Sequence, residues 1–338
     1  MKSPNVTIKD IARLLGISPS TVSRALKDHP DISQATKDQV NKLAAEMNYR
    51  PNPIALSLRN RRSNVIGVVI PEIVHFFFSS VISGINKVAN EHGFSVMVSQ
   101  SDEDFNKEVE VCETFRHSII DGLLISVSKQ TIDYEHLRKL DEEGIPVVFF
   151  DRMIEEFQTD RVLINDYQGA FDATQYLIVE GRRRIIHFAG PQSRLIGKNR
   201  LKGYLEAHKK NGVVIDDSLV INCDNFENAL VQTQKIIDEG VNFDAIFTVN
   251  DFTAAGVVKT LIKNGIRVPD DVSVIGFGND YMAEMIEPTL TTVCQPGFTM
   301  GEKAMQMLIN RINSEKTQEP KTEVLPTELI VRNTTRKR

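Results

Sequence analysis

The sequence is poor in the residues and patterns that mark several protein classes. Its three cysteines, Cys112, Cys223 and Cys294, are odd in number, far apart and without metal-ligand spacing, which predicts buried reduced thiols, no disulfide and no zinc site. No apolar run approaches the roughly 18 residues of a transmembrane helix, and residues 1–10 lack the apolar core of a signal peptide. We therefore expect a cytoplasmic protein with no membrane partner.

Catalytic motifs are also missing. The sequence contains no G-x-G-x-x-G, G-x-x-x-x-G-K-[ST], G-x-S-x-G or H-E-x-x-H pattern, which would indicate nucleotide binding, serine hydrolysis or zinc-dependent proteolysis. Gly276-Phe277-Gly278 lacks the third glycine of a nucleotide loop, and we interpret it as a tight turn lining a cleft. The seven histidines are scattered. These absences argue against an enzyme and predict no catalytic residue, no metal and no cofactor.

The charges are unevenly distributed in an otherwise ordinary globular composition. The 338 residues are 41% hydrophobic and 25% charged, which predicts two or three domains. The net charge is −5, yet residues 1–62 hold 11 Lys and Arg against 5 Asp and Glu, leaving 29 against 40 in the remainder. A basic module on an acidic body is expected where one end of a chain contacts DNA phosphates, although a solvated basic face is an alternative.

Residues 5–28 are predicted to form a helix-turn-helix. Thr7 can start the first helix in a capping-box arrangement and Gly16 can end it, while Ser18 followed by Pro19 can start the second. Apolar residues at helical spacing face inward. On the outer, N-terminal part of the second helix, where a recognition helix contacts base edges, lie Pro19, Ser20, Ser23 and Arg24. The alternative is a helix pair that only forms a small core.

A third helix and a short linker follow. Ser33 is predicted to cap a helix that runs to about Asn48 and completes a three-helix headpiece. Residues 52–60 begin like another helix, but two turns are too few to be stable alone. Its apolar residues are flanked by arginines, which is typical of a wedge that enters a minor groove. An ordinary linker whose leucines pack on the next domain explains the pattern equally well.

From Val65 onward, strands alternate with helices, which predicts parallel sheets covered on both faces and joined by right-handed crossovers. One series runs to about residue 150 and a second to about residue 277. The fold class is therefore α/β, a helix-turn-helix headpiece followed by a two-lobed core of doubly wound parallel sheets. A ligand between the lobes would lie at the carboxyl ends of the strands. The predicted elements include a strand at Phe94–Val98 and helices at 131–143 and Gly301–Asn313.

The helix-turn-helix and linker resemble the headpiece and hinge of the lactose-repressor (LacI/GalR) family of bacterial transcription regulators. The resemblance rests on TIKDIARLLGISPSTVSRALKD, followed by Y-R-P-N and the short leucine segment. Further stretches look like the same family and follow its order: EGRRRIIHFAGP, RLKG, VNDFTAAG, VPDDVSVIG and PTLTTVCQ. The similarity runs nearly end to end. It implies a periplasmic-binding-protein-like core that binds a small effector, and a dimer that reads a pseudo-palindromic operator.

The resemblance also implies roles for individual residues. Pro19, Ser20 and Arg24 match the family's base-reading positions, and Leu58 matches the hinge leucine that wedges the central step. Positions that touch phosphates are matched by Thr7, Thr21, Ser23 and Asn48. Effector-contacting positions, the first two being ring-stacking ones, are matched by Phe77, Phe78, Asp151, Ile164, Arg194, Arg200, Asn250, Asn279 and Gln295.

This chain departs from the family pattern in two places. Many members have an aspartate after the G-[YF] motif, where this chain has Gly278 and Asn279, so the carboxylate grip on a sugar hydroxyl is absent or moved to Asp280. Pro53 stands inside the hinge segment, which a helix tolerates only at its start. Arg200, fixed by R-x-x-G, is expected to bind a carboxylate, a phosphate or paired hydroxyls, with a surface ion pair as the alternative.

The resemblance implies a domain organisation as well. The predicted domains are a headpiece at 1–50, a hinge at 51–62, an N-terminal lobe at 63–163 with 293–322, and a C-terminal lobe at 164–292 with 323–338. The chain would cross between the lobes near 162–165, 290–294 and 321–325. It ends without the leucine heptads that tetrameric members append, so we expect a homodimer.

The predicted function is a sequence-specific transcriptional regulator, a repressor with an activator as the alternative, whose affinity for double-stranded operator DNA responds to a small effector, a sugar or sugar derivative. Effector binding would alter lobe closure and order or melt the hinge. Two other classes remain open. A sugar-binding protein is disfavoured by the basic headpiece and the missing signal segment, and an enzyme on a doubly wound scaffold is disfavoured by the missing motifs.

Overall fold

The computed structural model describes residues 6–49, 62–118, 120–314 and 319–336. The chain divides after Asn64 into two compact units, a headpiece and a core. The predicted hinge, with Pro53 and Leu58, lies almost entirely outside the described residues.

Three helices form the headpiece: α1 (Ile8–Leu15), α2 (Pro19–Ala25) and α3 (Gln34–Glu46). Thr7 N donates to Asp10 Oδ2 at 3.0 Å and Asp10 N donates to Thr7 Oγ1 at 3.4 Å, which is the predicted capping box. Gly16 ends α1 with a φ of 64°, a left-handed conformation that glycine adopts without strain. Ser18 and Ser33 accept backbone hydrogen bonds at the starts of α2 and α3. The predicted helix starts are confirmed.

The headpiece helices bury one small core between them. Its buried members come from all three helices: Ile11, Ala12, Val22, Ala25, Val40 and Ala44. Lys37 is also buried, and its Nζ reaches Asp28 Oδ1 at 2.6 Å and donates to Asp28 O at 3.3 Å. Asp28 has a φ of 54°. The lysine therefore fixes the turn that follows α2.

The first lobe is built on a six-stranded sheet. Its strands are β1 (Val65–Ile70), β2 (Ser95–Gln100), β3 (Gly122–Ile125), β4 (Val147–Phe150), β5 (Asp160–Ile164) and β11 (Thr322–Leu325). Their order is β11-β5-β4-β3-β1-β2, and all neighbouring pairs are parallel. The helices of this lobe are α4 (Phe76–Glu91), α5 (Phe105–His117), α6 (Glu135–Glu142) and α12 (Gly297–Asn313).

The second lobe repeats this arrangement. Its strands are β6 (Ile185–Ala189), β7 (Val220–Asn222), β8 (Ala245–Thr248), β9 (Ser273–Gly278), β10 (Thr291–Cys294) and β12 (Glu328–Ile330). Their order is β12-β10-β9-β8-β6-β7, parallel except that β12 is antiparallel to β10. The helices are α7 (Asp166–Val179), α8 (Leu195–Lys210), α9 (Phe226–Asp238), α10 (Asp251–Lys263) and α11 (Met282–Met285), with a 3₁₀ turn at Asp217–Leu219.

The chain passes between the two sheets after β5, after β10 and after β11. Ile164 still pairs with Leu325 in the first sheet, and Cys294 still pairs with Gly278 in the second. The crossings after Ile164, Cys294 and Leu325 therefore fall within the predicted ranges 162–165, 290–294 and 321–325. Apolar runs locate a strand, but its hydrogen-bonded neighbour decides which sheet the strand belongs to.

Three predicted elements have different limits in the structure. β2 begins and ends later than the predicted Phe94–Val98, and as an edge strand it leaves Met97 and Val98 exposed, so the first sheet is not covered on both faces there. α6 is shorter than the predicted 131–143, because side-chain hydrogen bonds hold the preceding loop in another shape. α12 begins four residues before the predicted Gly301.

Glycines let α12 pack closely on α4 in the first lobe. A Cβ on Gly84 would collide with Phe298 O, and one on Gly301 would collide with Val81 O. The two helices therefore approach at backbone distance, which a larger residue would prevent. The last long helix thus returns to the first lobe, as predicted.

Candidate functional site

The outer face of α2 presents polar side chains for contact with duplex DNA. Pro19, Ser20 and Arg24 are exposed, whereas Thr21 and Ser23 are half-buried. The Arg24 guanidinium has no hydrogen bond or ion pair within the described residues. An exposed arginine without a partner on a short recognition helix is suited to the edge of a guanine.

The other headpiece residues predicted to touch DNA lie at helix ends. Thr7 is exposed and its Oγ1 donates to Asp10 Oδ2 at 2.7 Å, while Thr21 Oγ1 lies 2.9 Å from Ser18 Oγ. Asn48 is exposed just after α3 with a φ of 49°. The predicted minor-groove residue, Leu58, lies outside the described residues.

A cavity of about 480 Å³ lies between the two lobes of the core. Its lining residues follow the ends of strands: Asp151 after β4, Asn250 after β8 and Gln295 after β10. The carboxyl ends of parallel strands meet at one edge of a sheet, so residues far apart in the sequence converge there. The volume lies in the range of small-molecule sites, about 300–1,000 Å³.

Most of the predicted effector residues line this cavity: Phe77, Phe78, Asp151, Arg194, Arg200, Asn250 and Gln295. Ile164 does not, because its side chain packs in the hydrophobic core at the end of β5. Asn279 lies instead at a smaller cavity of about 210 Å³, which shares Gln295 with the large one. Asn279 Oδ1 accepts a hydrogen bond from Arg332 Nη2 at 2.8 Å.

Arg200 is held within the second lobe by its own partners. Its Nε donates to Asp166 Oδ1 at 2.7 Å, its Nη1 donates to Val249 O, and its guanidinium carbon lies 3.6 Å from the centre of the Phe277 ring. Burial raises the pKa of Asp166, and the Arg200 charge opposes that rise. Arg200 is only 4% exposed. It forms an ion pair that is buried at the cavity wall rather than on the surface.

Asp151 combines an uncommon backbone conformation with a carboxylate short of partners. Its φ is 60°, in the left-handed region that residues with a Cβ seldom occupy. The side chain is 7% exposed, Ser126 Oγ lies 3.5 Å from Oδ2, and Arg152 Nε lies 3.9 Å away. Burial raises the pKa of Asp151 to about 6 against the opposing charge of Arg152. A donor on a ligand would complete its hydrogen bonding.

The second lobe contributes two more carboxylates. Asp251 Oδ1 accepts from Thr292 Oγ1 at 2.5 Å and Oδ2 accepts from Asp280 N at 2.8 Å. Burial raises the pKa of Asp251 to about 6 even though these hydrogen bonds lower it. Asp280, to which the family's carboxylate was predicted to move, also lines the cavity. Sequence reasoning missed Asp251, although it follows Asn250 in the VND stretch.

Aromatic rings line the cavity and bridge its two sides. Phe77 and Phe78 pack edge to face on the first lobe with ring centres 5.2 Å apart. Two ring pairs join the lobes, Phe76 with Tyr281 at 4.1 Å and His75 with Phe252 at 5.1 Å between centres. Aromatic faces pack on apolar faces of a ligand, while the carboxylates and amides bind its polar groups.

The charged side chains of the cavity are unbalanced. Its lysine and arginine side chains are paired within the chain: Lys129 with Asp224, Arg152 with Glu103, Arg194 with backbone carbonyls and Arg200 with Asp166. The acidic residues that line the same cavity are Glu72, Glu103, Asp151, Asp224, Glu227, Asp251 and Asp280. The described lining therefore holds more carboxylates than unpaired cationic groups.

Cys112 and Cys223 are buried free thiols, as predicted, and Cys294 is half-buried. No group of three or more His, Cys, Asp or Glu side chains in the described ranges is placed to hold a metal ion. Among the helices that the structure describes, none is long and apolar enough to span a membrane.

Two family models match this chain over most of its length. Residues 7–52 match "Bacterial regulatory proteins, lacI family", and residues 63–333 match "Periplasmic binding proteins and sugar binding domain of LacI family". The chain is 33% identical to the HTH-type transcriptional repressor PurR of Vibrio atlanticus (strain LGP32), over 97% of this chain and 98% of that protein.

Two solved structures extend the comparison. The transcriptional regulator CelR in complex with cellobiose is 30% identical, with a TM-score of 0.74 over 98% of this chain and 100% of that one. The lac repressor dimer bound to operator and the anti-inducer ONPF shares the fold at 24% identity, with a TM-score of 0.86 over 98% of this chain and 99% of that one.

Proposed function

The chain belongs to the LacI family of bacterial regulatory proteins, and we propose that it is a homodimeric repressor whose operator affinity responds to a carbohydrate-like effector. As a member of the family it is a DNA-binding transcriptional regulator with an effector-binding core. The strongest support for the effector is a cavity lined by aromatic rings and polar side chains from both lobes. Its proposed target is operator DNA inside a bacterial cell, so we expect it to act in the cytoplasm.

The proposed DNA contacts fall into two groups. Arg24, Ser20 and Pro19 on the exposed face of α2 would read base edges in the major groove, with Arg24 donating to a guanine. The residues that would contact phosphates, which fix the register without reading sequence, are Thr7, Thr21, Ser23 and Asn48. Leu58 would wedge a base step in the minor groove.

The proposed effector is an uncharged or cationic polyhydroxylated compound, a sugar or sugar derivative. Asp151 would accept from a hydroxyl or ammonium group, and the Gln295 and Asn250 amides would bind further hydroxyls. A phosphate or carboxylate would meet a surplus of carboxylates, while Arg200 and the other cations already have partners. The similarity to CelR, whose structure contains cellobiose, supports a carbohydrate.

The proposed dimer would cover an exposed apolar face of the first lobe. Ile73 and Val74 are 57% and 70% exposed, and Met97 and Val98 on β2 are 45% and 40% exposed. Ile73 N donates to Gln100 Oε1 at 3.2 Å, which places this loop beside the end of β2. Exposed apolar clusters on an edge strand mark contact surfaces. We expect Val98→Lys to shift the sedimenting species from dimer to monomer.

Operator binding can be tested with DNA selected from a random pool by the purified protein. In fluorescence anisotropy, we expect tight, steeply salt-dependent binding to the selected sequence. Arg24→Ala should cost about 1–3 kcal/mol at one base pair and relax the preference there. Arg138→Ala, an exposed arginine of the core, is the matched control. Equal loss on all sequences would contradict base reading by Arg24.

Effector binding can be tested by thermal shift with matched pairs of sugars, amino sugars and sugar phosphates. A ligand at about 100 times its dissociation constant should stabilise the protein by about 2.7 kcal/mol. We expect the neutral or amino member of a pair to bind more tightly than its phosphate. Tighter binding of the phosphate would contradict the effector class. A ligand that binds without changing operator affinity would contradict the regulatory role.

A further inference from the structure

We propose that residues 128–131, here called the catch loop, hold the two lobes of the core together, and that buried Glu108 is the residue that positions this loop. The inference rests on the proposed function, because it describes how access to the effector cavity is regulated. It changes the role assigned to Arg194, which becomes a clasp between the lobes rather than an effector ligand.

Arg194 reaches from the second lobe to the backbone of the catch loop. Its Nε and Nη2 donate to Lys129 O at 3.1 and 2.7 Å, and Nη2 also donates to Thr131 O at 2.5 Å. These are hydrogen bonds from a charged donor, which are stronger than neutral ones. The guanidinium is thus already bound across the cleft.

The Lys129 side chain forms a second bond between the lobes. Its Nζ lies 2.7 Å from Asp224 Oδ2, just after β7, while its backbone N donates to Glu103 Oε2 at 2.8 Å within the first lobe. Lys129 therefore contacts the second lobe with both its carbonyl and its ammonium group. Opening the cleft has to break the Arg194 and Lys129 contacts together.

The Glu108 side chain on α5 holds the catch loop in place by hydrogen bonds within the first lobe. Its carboxylate is fully buried, and Oε2 accepts from Ser128 N at 2.6 Å. Thr131 Oγ1 donates to Oε1 and Oε2 at 3.0 and 3.1 Å, and His136 Nε2 lies 3.1 Å from Oε1. One carboxylate thus binds both ends of the loop. This holds the Lys129 and Thr131 carbonyls in the orientation that Arg194 requires.

Weakening the contacts of the catch loop with the second lobe is expected to alter regulation. A two-state core responds to an effector only through the difference in affinity between its open and closed forms. Intrachain bonds that favour the closed form set the equilibrium on which the effector acts. Loosening the loop should therefore populate the open form without removing any group that the proposed effector needs.

The test measures the distance between the lobes in full-length protein without DNA or effector. Spin labels are attached to the thiols of Asn106→Cys in the first lobe and Asn228→Cys in the second, both at exposed positions. The half-buried Cys294 is replaced by serine so that it is not labelled. Labelled subunits are diluted with unlabelled protein so that each particle holds one labelled pair. We expect one narrow distance distribution in the parent protein.

The variants Arg194→Gln and Glu108→Gln should each add a population at longer distance. Glu110→Gln, an exposed glutamate on the same helix, is the matched control and should keep the parent distribution. Because Glu108→Gln changes a buried group, Thr131→Val provides a second test that retains the carboxylate. We expect it to shift the distribution in the same direction by a smaller amount, with the circular dichroism spectrum unchanged.

Two results would contradict the proposed role of the catch loop. One is a broad, open distribution in the parent protein. The other is a parent-like distribution in Arg194→Gln or in a folded Glu108 or Thr131 variant, even if its melting temperature falls, because a merely structural role lowers stability without moving the lobes. Neither result depends on DNA or effector, so failure of the catch is distinguishable from failure of the proposed function.

Discussion

The two lobes of the core share a topology but treat their buried carboxylates differently. In the second lobe, Asp166 is bound by Arg200 and Asp251 by Thr292, both within hydrogen-bond distance. In the first lobe, Asp151 lies at the end of β4 with its nearest donors 3.5 Å or more away. Matching strand orders therefore do not give matching sites.

This difference shows on which side of the cavity the buried carboxylates have close hydrogen-bond donors and on which side one lacks them. A buried carboxylate with charged or hydroxyl donors is satisfied by the fold itself. One without close donors, held in a left-handed backbone conformation, raises the free energy of the folded state and lowers it again when a ligand supplies the donor. The carboxylates Asp166 and Asp251 of the second lobe are already bound by the fold, and Asp151 of the first lobe is the group for which we propose a contact with the effector.

Breaking the ion pair of the second lobe should have the largest effect. Arg200→Ala leaves the buried Asp166 without its cation, and we expect the core to lose about 3–5 kcal/mol of unfolding free energy. The measurement is urea unfolding at pH 7.5. Arg138→Ala removes an exposed pair and should change stability by about 1 kcal/mol or less. A loss no larger than that control would contradict a buried pair.

Neutralising the carboxyl group of the first lobe should have the opposite sign. The Asp151 pKa rises from 3.8 to about 6, so the folded protein binds more protons and its stability falls as pH increases between those values. The cost is fully present above about pH 6. Asn tolerates the left-handed backbone, so Asp151→Asn should stabilise the core by about 2–3 kcal/mol at pH 7.5.

Unfolding of Asp151→Asn and the parent protein should be compared at pH 4 and pH 7.5. The gain should nearly disappear at pH 4, where the aspartate of the folded parent is already protonated. The same variant should bind the effector more weakly, because an amide replaces the carboxylate acceptor. A stability gain of equal size at both pH values would contradict ionisation as its cause.

The smallest of these effects concerns the carboxylate that the second lobe satisfies with a hydroxyl group. Thr292→Val removes the donor to Asp251 while keeping the shape of the side chain, and should cost about 1–2 kcal/mol at pH 7.5. The Asp251 pKa should rise above its present value of about 6. The loss should shrink at pH 4, and an equal loss at both pH values would indicate poor packing instead.

Much of the fold follows from short-range patterns that the sequence displays. Thr7, Ser18 and Ser33 begin helices because their hydroxyl groups can accept free backbone N–H groups, and Gly16 ends one because it lacks a Cβ. Alternating apolar strands and helices predict two parallel sheets. The crossings after β5, β10 and β11 lie within the ranges that the family resemblance implies, but pairing with a distant strand, which no local pattern records, fixes the residue at which each occurs.

The candidate site also contains residues whose place was predicted and residues whose place only the tertiary structure shows. The family resemblance implies that Asp151, Asn250 and Gln295 contact the effector, and the structure brings all three to one cavity. It does not predict that Ile164 turns into the core or that Asn279 faces a different cavity, because both outcomes depend on the residues packed around them. The DNA contacts and the effector contacts remain proposals.

The sequence by itself determined the headpiece helices and the two-sheet core, because caps and periodicity are local properties, and its resemblance to a known family indicated most of the cavity lining. Only the tertiary structure decided which charged groups are still free to bind. Arg194 and Arg200 lie six residues apart at one end of α8, yet one reaches the Lys129 carbonyl in the other lobe and one pairs with Asp166 in its own. Their partners come from distant parts of the chain, and folding alone brings them together.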